Sequence, residues 1–328
     1  DLMVVPDYLK TRWEAESSLK TVDLLISEPA IASLNAELPH SGFDYVKGRL
    51  WNEGKLRKAK VRYRGDYSYH WMFHKKSLRV KTQKDHLYEG VRKFNLIANK
   101  FEYQLSNAPG YFLKDLLGNL GPHAEMVNVR INGRHKGVHT YVEQIDESTL
   151  RRSGFLPGDI FSGELSAKDR FEGSVPDLFR QGGMWEKVAV NNHFDEDASD
   201  SIEALVLLVG RAERASSTDD THLRLNRMLN IDEWGKFMAF ETISQTHHYD
   251  SAHNWRLYFD PGRSSFIPII WDPVAWAWST GKRVTVSPDL AKTRIQRALL
   301  RNAPLLAARS RHVSEFYAQN GDKKLLER

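Results

Sequence analysis

Alternation of apolar and polar positions marks the first half of the chain. In KAKVRYRG, Ala59, Val61 and Tyr63 fall on one face and Lys60, Arg62 and Arg64 on the other. KKSLRVK repeats the pattern, with Leu78 and Val80 opposed to Ser77, Arg79 and Lys81. A period of two predicts half-buried strands, because successive side chains leave opposite faces of the pleat. GDYSYHWMFHK between them reads as a loop opening at Gly65, and KFNLIAN as a third strand. Farther on, EMVNVRINGRHKGVHTYVEQID alternates through Val127, Val129 and Ile131 and breaks at Asn132-Gly133. That dipeptide suits the two left-handed positions of a tight hairpin turn.

Helical spacing takes over elsewhere. YFLKDLLGNL has it, with Pro109 near its start and Gly121-Pro122 to close it. Residues 1–146 therefore read as a mixed sheet carrying one helix. The rest, 147–328, reads as mainly helical. SIEALVLLVGRAER and NIDEWGKFMAFETISQ are its clearest helices; the second has Asp232 as an N-cap candidate and a core stripe of Trp234, Phe237 and Met238. SGELSAKDRFEGSVPDLFRQGG and NNHFDEDASD, polar and broken by Gly and Pro, read as loops. One short hairpin is expected at 254–271, and the tail from Asp289 is helical and basic. Trp276 and Trp278 read as core or as a surface ledge.

Composition narrows the picture. The 328 residues are enough for a large core and for two lobes. Hydrophobic residues at 41% and charged ones at 27% exclude a disordered chain. The net charge of +5 comes without a dominant Lys/Arg block. An ordinary solvated surface is expected rather than a nucleic-acid footprint, though a positive bias suits a protein that handles phosphates. There is no cysteine, which excludes disulfides and thiolate metal sites. No apolar run approaches the ~20 residues of a membrane span. The opening DLMVVPDYLK lacks the basic and apolar regions of a leader, so the chain reads as cytosolic or as one whose leader has been removed.

The densest chemistry is HHYDSAHNWRLYFD, residues 247–260. It leaves a helix, enters a strand, turns at Pro261-Gly262 and returns as SFIPIIWD. Asp250 and Asn254 precede one strand of this hairpin and Asp272 follows the other, so their oxygens are expected to converge. Two carboxylates and an amide oxygen suit Mg²⁺ or Mn²⁺, hard ions that keep waters and borrow phosphate oxygens. Protein kinases place a catalytic-loop Asp, an Asn and a metal-binding Asp in this order. The alternative is a zinc site of His247, His248 and His253 with Asp250, which would leave Asn254 and Asp272 without a purpose.

Several segments, in order over roughly residues 20 to 280, resemble the CotH kinase family, the spore-coat type of atypical protein kinase. VRYRGDYSYHW followed by KKSLRVK is similar to its Arg-Gly-x-x-Ser loop and Lys-Lys strand, and KFNLIAN to the strand after it. VRINGRHKGVHTYVEQID resembles its Asn-Gly turn and Gly-Val-Tyr…Glu-Gln segment. NIDEWGKFMAFETISQTHHYDSAHNWRLYFD and FIPIIWD resemble its catalytic helix, Asp…Asn loop and Ile-Pro-x-Asp ending.

The resemblance implies an α+β, two-lobed protein-kinase-like fold, with a strand-rich lobe at 1–146 and a helical lobe at 147–328. It implies ATP- and Mg²⁺-dependent phosphoryl transfer to protein hydroxyls. Asp250 would be the catalytic aspartate, and Asn254 and Asp272 would hold the metal. Arg64, Arg79 and Lys81, with Lys75 or Lys76 as competitors for the kinase-lysine role, would meet the phosphates. The backbone of Glu143 and Gln144 would meet the adenine edge, and Tyr141 and Phe266 would sandwich the base. His248 or His253 would support Asp250 from behind. The expected partners are a nucleotide and a protein acceptor, without nucleic acid, and members of the family are commonly exported. The resemblance stops at WDPVAWAW, where the family continues Trp-Asp-x-Asp with a glycine soon after. It therefore does not extend to a second metal carboxylate or to full activity. Two rivals stay open: an inactive nucleotide-binding module, and another ATP-dependent modification such as adenylylation or amino-acid ligation.

Overall fold

The computed structural model describes residues 18–38, 44–65, 70–71, 73–99, 105–165, 177–189, 199–276 and 287–327. Ser68 of the Arg-Gly-x-x-Ser loop and Trp278 lie outside them. The fold is α+β. The chain forms two compact units, one of residues 1–108 and 123–144, the other of 109–122 and 145–328. The 109–122 segment, read from sequence as the helix of the N-terminal sheet, thus groups with the second unit.

In the first unit the mixed sheet is a closed barrel. Its strands are β1 (Thr21–Ile26), β2 (Val46–Asn52), β3 (Lys55–Tyr63), β4 (Leu78–Thr82), β5 (Lys93–Ala98), β6 (Ala124–Ile131) and β7 (Arg134–Glu143). They run β1-β2-β3-β4-β5-β7-β6, all antiparallel except where β1 pairs parallel with β6. The alternation is what closes the core: Val61, Val80, Phe94, Leu96, Val127 and Val129 point inward and are buried. Ser77 departs from it. It is buried, its hydroxyl accepting from Ala98 N and its backbone bonding Arg64 and His70. The expected Asn132-Gly133 turn has φ of 54° and 73°. The Asn132 side chain also bonds the backbone N and O of Ile26, which pins the turn to β1. Helix α1 (Glu28–Ala36) is capped by Ser27, and its Asn35 accepts from the Tyr63 hydroxyl at 2.7 Å.

The second unit holds α2 (Asn107–Leu117, whose first two residues fall in the first unit), α3 (Glu147–Arg152), α4 (Ser199–Ala212), α5 (Asp220–Met228), α6 (Ile231–Ser244), α7 (Arg294–Leu299), α8 (Ala303–Ala318) and α9 (Gly321–Leu326). Where one hairpin is expected there is a four-stranded sheet. β8 (Asp159–Gly163) and β9 (Trp185–Ala189), on either side of a stretch read as a loop and themselves not foreseen as strands, join β10 (Trp255–Asp260) and β11 (Ser265–Pro268) in the order β11-β10-β8-β9. DIFSG is too short to show a period, and its pairing partner is about ninety positions away. The stripe Trp234, Phe237 and Met238 of α6 is buried as expected. Its N-cap, however, is Asn230, whose side chain accepts from Glu233 N; Asp232 sits in the first turn and pairs with Arg311 and His312. Among the described residues no helix is long and apolar enough to cross a membrane.

Candidate functional site

The site is built on two loops of the second unit. The first leaves α6 at Gln245, in the left-handed region at φ 49°, and runs to Asn254. The second follows β11 from Ile269 to Trp276. Neither has a strand ladder, so side chains take over the pairing of buried backbone groups. Thr246 donates its hydroxyl to Pro273 O. The Tyr111 and Tyr249 hydroxyls accept from Asp272 N and Trp271 N at 3.0 and 3.2 Å. Trp276 donates its indole N–H to Ile243 O and its backbone N–H to Ser244 O, tying the second loop to the end of α6. Gly110 of α2 is required here, since a Cβ on it would stand 2.9 Å from Pro273 Cγ.

His248 sits at the centre. Its Nδ1 lies 2.7 Å from Asp272 O and 3.8 Å from Asp272 Oδ2, while its own carbonyl accepts from Asn254 Nδ2 at 3.0 Å. One residue therefore brings together the two expected metal ligands. Both ligands have positive φ, 69° at Asn254 and 47° at Asp272, as do Val274 and Trp276 beyond. For non-glycine residues this conformation costs on the order of 1–3 kcal/mol each, and it persists only where surrounding bonds dictate it. Asn254 is buried at 4% exposure, and its backbone N–H donates to Glu164 Oε2 at 3.3 Å. Glu164 also pairs with Arg256 at 3.0 Å.

Asp250 is held differently. Its Oδ1 accepts from Ala252 N at 2.7 Å and His253 N at 2.9 Å, and lies 2.7 Å from His253 Nδ1. Burial raises its pKa, but the His253 bond and charge and the two backbone donors outweigh that and hold it below the usual carboxylate range. The expected support of Asp250 by a histidine thus falls to His253. Its ring stands edge-on to His248, 5.2 Å between centroids. The four side chains form a run, Asp250 to His253 to His248 to Asp272.

Among the described residues no three His, Asp or Glu side chains converge as a metal cluster. The three histidines do not gather around Asp250. His248 serves Asp272, His253 serves Asp250, and His247 is half-buried, its pKa lowered by burial and then by the nearby Lys292 cation. Asn254 and Asp272 fit a magnesium-type ion by donor chemistry: two oxygens are the partial protein shell that such an ion completes with water and phosphate.

The nucleotide contacts expected from sequence fare unevenly. Tyr141 and Phe266 are each 0% exposed. The Tyr141 ring packs inside the barrel on Phe94 and Tyr88, and the Phe266 ring on Phe161 and Phe259. A ring enclosed in a core has no face for a base, so both are corrected to core residues. Glu143 N donates to His123 O and Gln144 N to Lys93 O, so neither N–H is available to an adenine edge. Lys76 donates to the carbonyls of Trp71 and Phe73, and Lys75 to Asn99 O. Arg64 is buried beside its strand end, and Arg79 donates Nε to Asn95 Oδ1 at 2.8 Å. Lys81 stands on the barrel's outer face. Glu164, Thr246 and Tyr111 were not legible as site residues, because their partners are 90, 27 and 161 positions distant.

A family description, CotH kinase protein, matches residues 61–308, well over half of the chain. The chain belongs to this family. The inner spore coat protein H of Bacillus subtilis (strain 168) is 24% identical over 204 residues, covering 61% of this chain and 54% of that protein. The chain thus spans about half the length of that relative. A solved HipA–HipB–operator DNA complex of Shewanella oneidensis MR-1 is similar at 11% identity and a TM-score of 0.29, covering 92% of this chain and 66% of that one. A score that low assigns no fold.

Proposed function

We propose that the chain is a CotH-type protein kinase, transferring the γ-phosphoryl group of ATP to a protein hydroxyl, with its two units as the lobes of a kinase-like fold. The observation that supports this most is the joint anchoring of Asn254 and Asp272 on His248, with Asp250 held ionised by His253 at the other end of the run. A divalent cation bound by Asn254 Oδ1 and the Asp272 carboxylate would supply charge neutralisation on the phosphates. Asp250 orients the acceptor hydroxyl and takes its proton as the oxygen bonds to phosphorus and the bond to the departing ADP oxygen breaks. Adenine recognition is left to groups other than Tyr141 and Phe266.

Incubation with γ-labelled and α-labelled ATP in parallel tests the reading. Transfer of the γ label alone supports it; transfer of the α label makes the chemistry adenylylation. The second reading is an inactive nucleotide-binding module. It is favoured by the single carboxylate at Asp272, where Pro273 replaces flexibility with a fixed turn. ATP binding without transfer of either label would establish it.

A further inference from the structure

The barrel's outer face carries a charge pattern that its fold does not need. Lys47 of β2, Lys60 of β3, Lys81 of β4 and Lys93 of β5 are direct cross-strand partners in one row. Arg49 and Lys58 form the row beside it. At a strand separation of about 4.8 Å the four lysines span roughly 15 Å. Like charges placed directly opposite are destabilising. Burial and then the neighbouring cations Arg92, Lys93, Lys60 and Lys84 lower the Lys81 pKa. Among the described residues no Asp or Glu forms an ion pair with any of these six side chains.

A second observation lies at the Lys47–Arg49 end. These two residues also line a cavity of about 1050 Å³ contained within the barrel unit. Lys76, Arg134 and Lys136 add three more cations to its wall, and Leu25, Ile31 and Ile131 give it an apolar lining, while Glu28 is the one acid among its described lining residues. A row of unneutralised cations leading into a partly apolar cavity is complementary to an acidic chain that also carries apolar side chains.

We propose that this face of the barrel docks an acidic polypeptide segment, its carboxylates along the lysine row and its apolar side chains in the cavity. The proposal rests on the protein-acceptor reading above and names the class of segment that the acceptor presents. Single-stranded nucleic acid fits less well. It is bound by serial aromatic platforms, and on the outer face of β2 to β5 the one exposed ring among the described residues is Trp51, 50% exposed.

The test is fluorescence anisotropy on the whole chain without nucleotide. The probes are a labelled twelve-residue Glu/Leu peptide and a labelled single-stranded DNA of equal charge. Lys58→Glu with Lys60→Glu is compared with Lys323→Glu with Lys324→Glu on α9, which changes net charge equally. The peptide should bind the parent, lose affinity at least about tenfold in the first variant and less than about twofold in the second, and weaken with salt. If circular dichroism shows that the charge reversals disturb the fold, Lys60→Gln with Lys93→Gln should still weaken binding about threefold. Equal loss in the row and α9 variants, no peptide binding, or tighter binding of the DNA overturns the proposal. Peptide binding without label transfer from ATP leaves the docking face standing and removes the kinase reading. Transfer to a generic acceptor without peptide binding does the reverse.

Discussion

The outer face of β3 to β5 and the two loops of the second unit both gather polar side chains, on opposite principles. On the barrel the strand ladder satisfies the backbone, so Lys60 and Lys81 have no structural duty and are set only by register. In the loops there is no ladder, and the side chains do the backbone's bonding. Thr246 holds Pro273, His248 holds Asp272, Asn254 holds His248 and Asp250 holds the turn at Ala252 and His253. The loop residues therefore carry structure along with the chemistry proposed for them, whereas Lys60 and Lys81 are expected to be replaceable without cost to the fold. Substitutions should separate the two regions.

The largest effect is expected at Asp250. Asp250→Asn keeps the size but loses the charge, and a general-base position typically contributes ~10²-fold or more. Transfer should fall by at least that factor while ATP affinity, read by calorimetry, stays within about twofold. A parent-like rate would move the chemistry elsewhere in the run.

Next comes the buried acid at the foundation of the first loop. Glu241 of α6 is enclosed, with Gln296 Nε2 donating to it at 2.6 Å, and burial pushes its pKa up to about 8 from 4.5. Between those values the folded chain keeps a proton that the unfolded chain releases. Stability should therefore fall as pH rises from about 4.5 to 8 and level off above, with a slope of at most about 1.4 kcal/mol per pH unit. Denaturant titrations of Glu241→Gln should lose that slope and gain stability at pH 8. A slope shared by parent and variant would assign it to other groups.

Gly110→Ala should cost about 1–3 kcal/mol, because its Cβ meets Pro273 and the second loop must shift. If loop position matters to the site, transfer falls with it. His248→Ala should cost about 1–3 kcal/mol for the carbonyl left unpaired. It should also raise the Mg²⁺ concentration needed for nucleotide binding, since Asn254 and Asp272 lose their common anchor. An unchanged Mg²⁺ requirement would detach His248 from the metal role. The smallest effect is expected on the barrel. Lys60→Gln should leave unfolding within about 0.5 kcal/mol of the parent, on the stabilising side, because it relieves repulsion from Lys47 and Lys81. A marked loss would mean that the lysine row does carry structure.

Much of the barrel was legible because its signal is local. Val61 and Val80 show their face by their own neighbours in sequence, and Asn132-Gly133 shows its turn. Closure was not, because it depends on β1 lying parallel to β6 across more than a hundred residues. In the site, Asp250, Asn254 and Asp272 could be brought together on paper by the hairpin alone. The bond between His248 Nδ1 and Asp272 O, 24 positions away, and that from Asn254 N to Glu164 Oε2, 90 away, had no local trace.

Sequence alone determined which positions alternate, where the hairpins turn, which oxygens flank the second hairpin and which family the chain resembles. All of these follow from residues within a few positions of one another or from their order along the chain. Only the tertiary structure decided that Tyr141 and Phe266 are core, that Glu143 and Gln144 have spent their N–H groups on the sheet, and that four lysines stand in one row. An aromatic ring or a backbone donor looks the same in sequence whether a ligand or a neighbouring strand meets it. What covers each face is set by contacts between elements far apart in the chain.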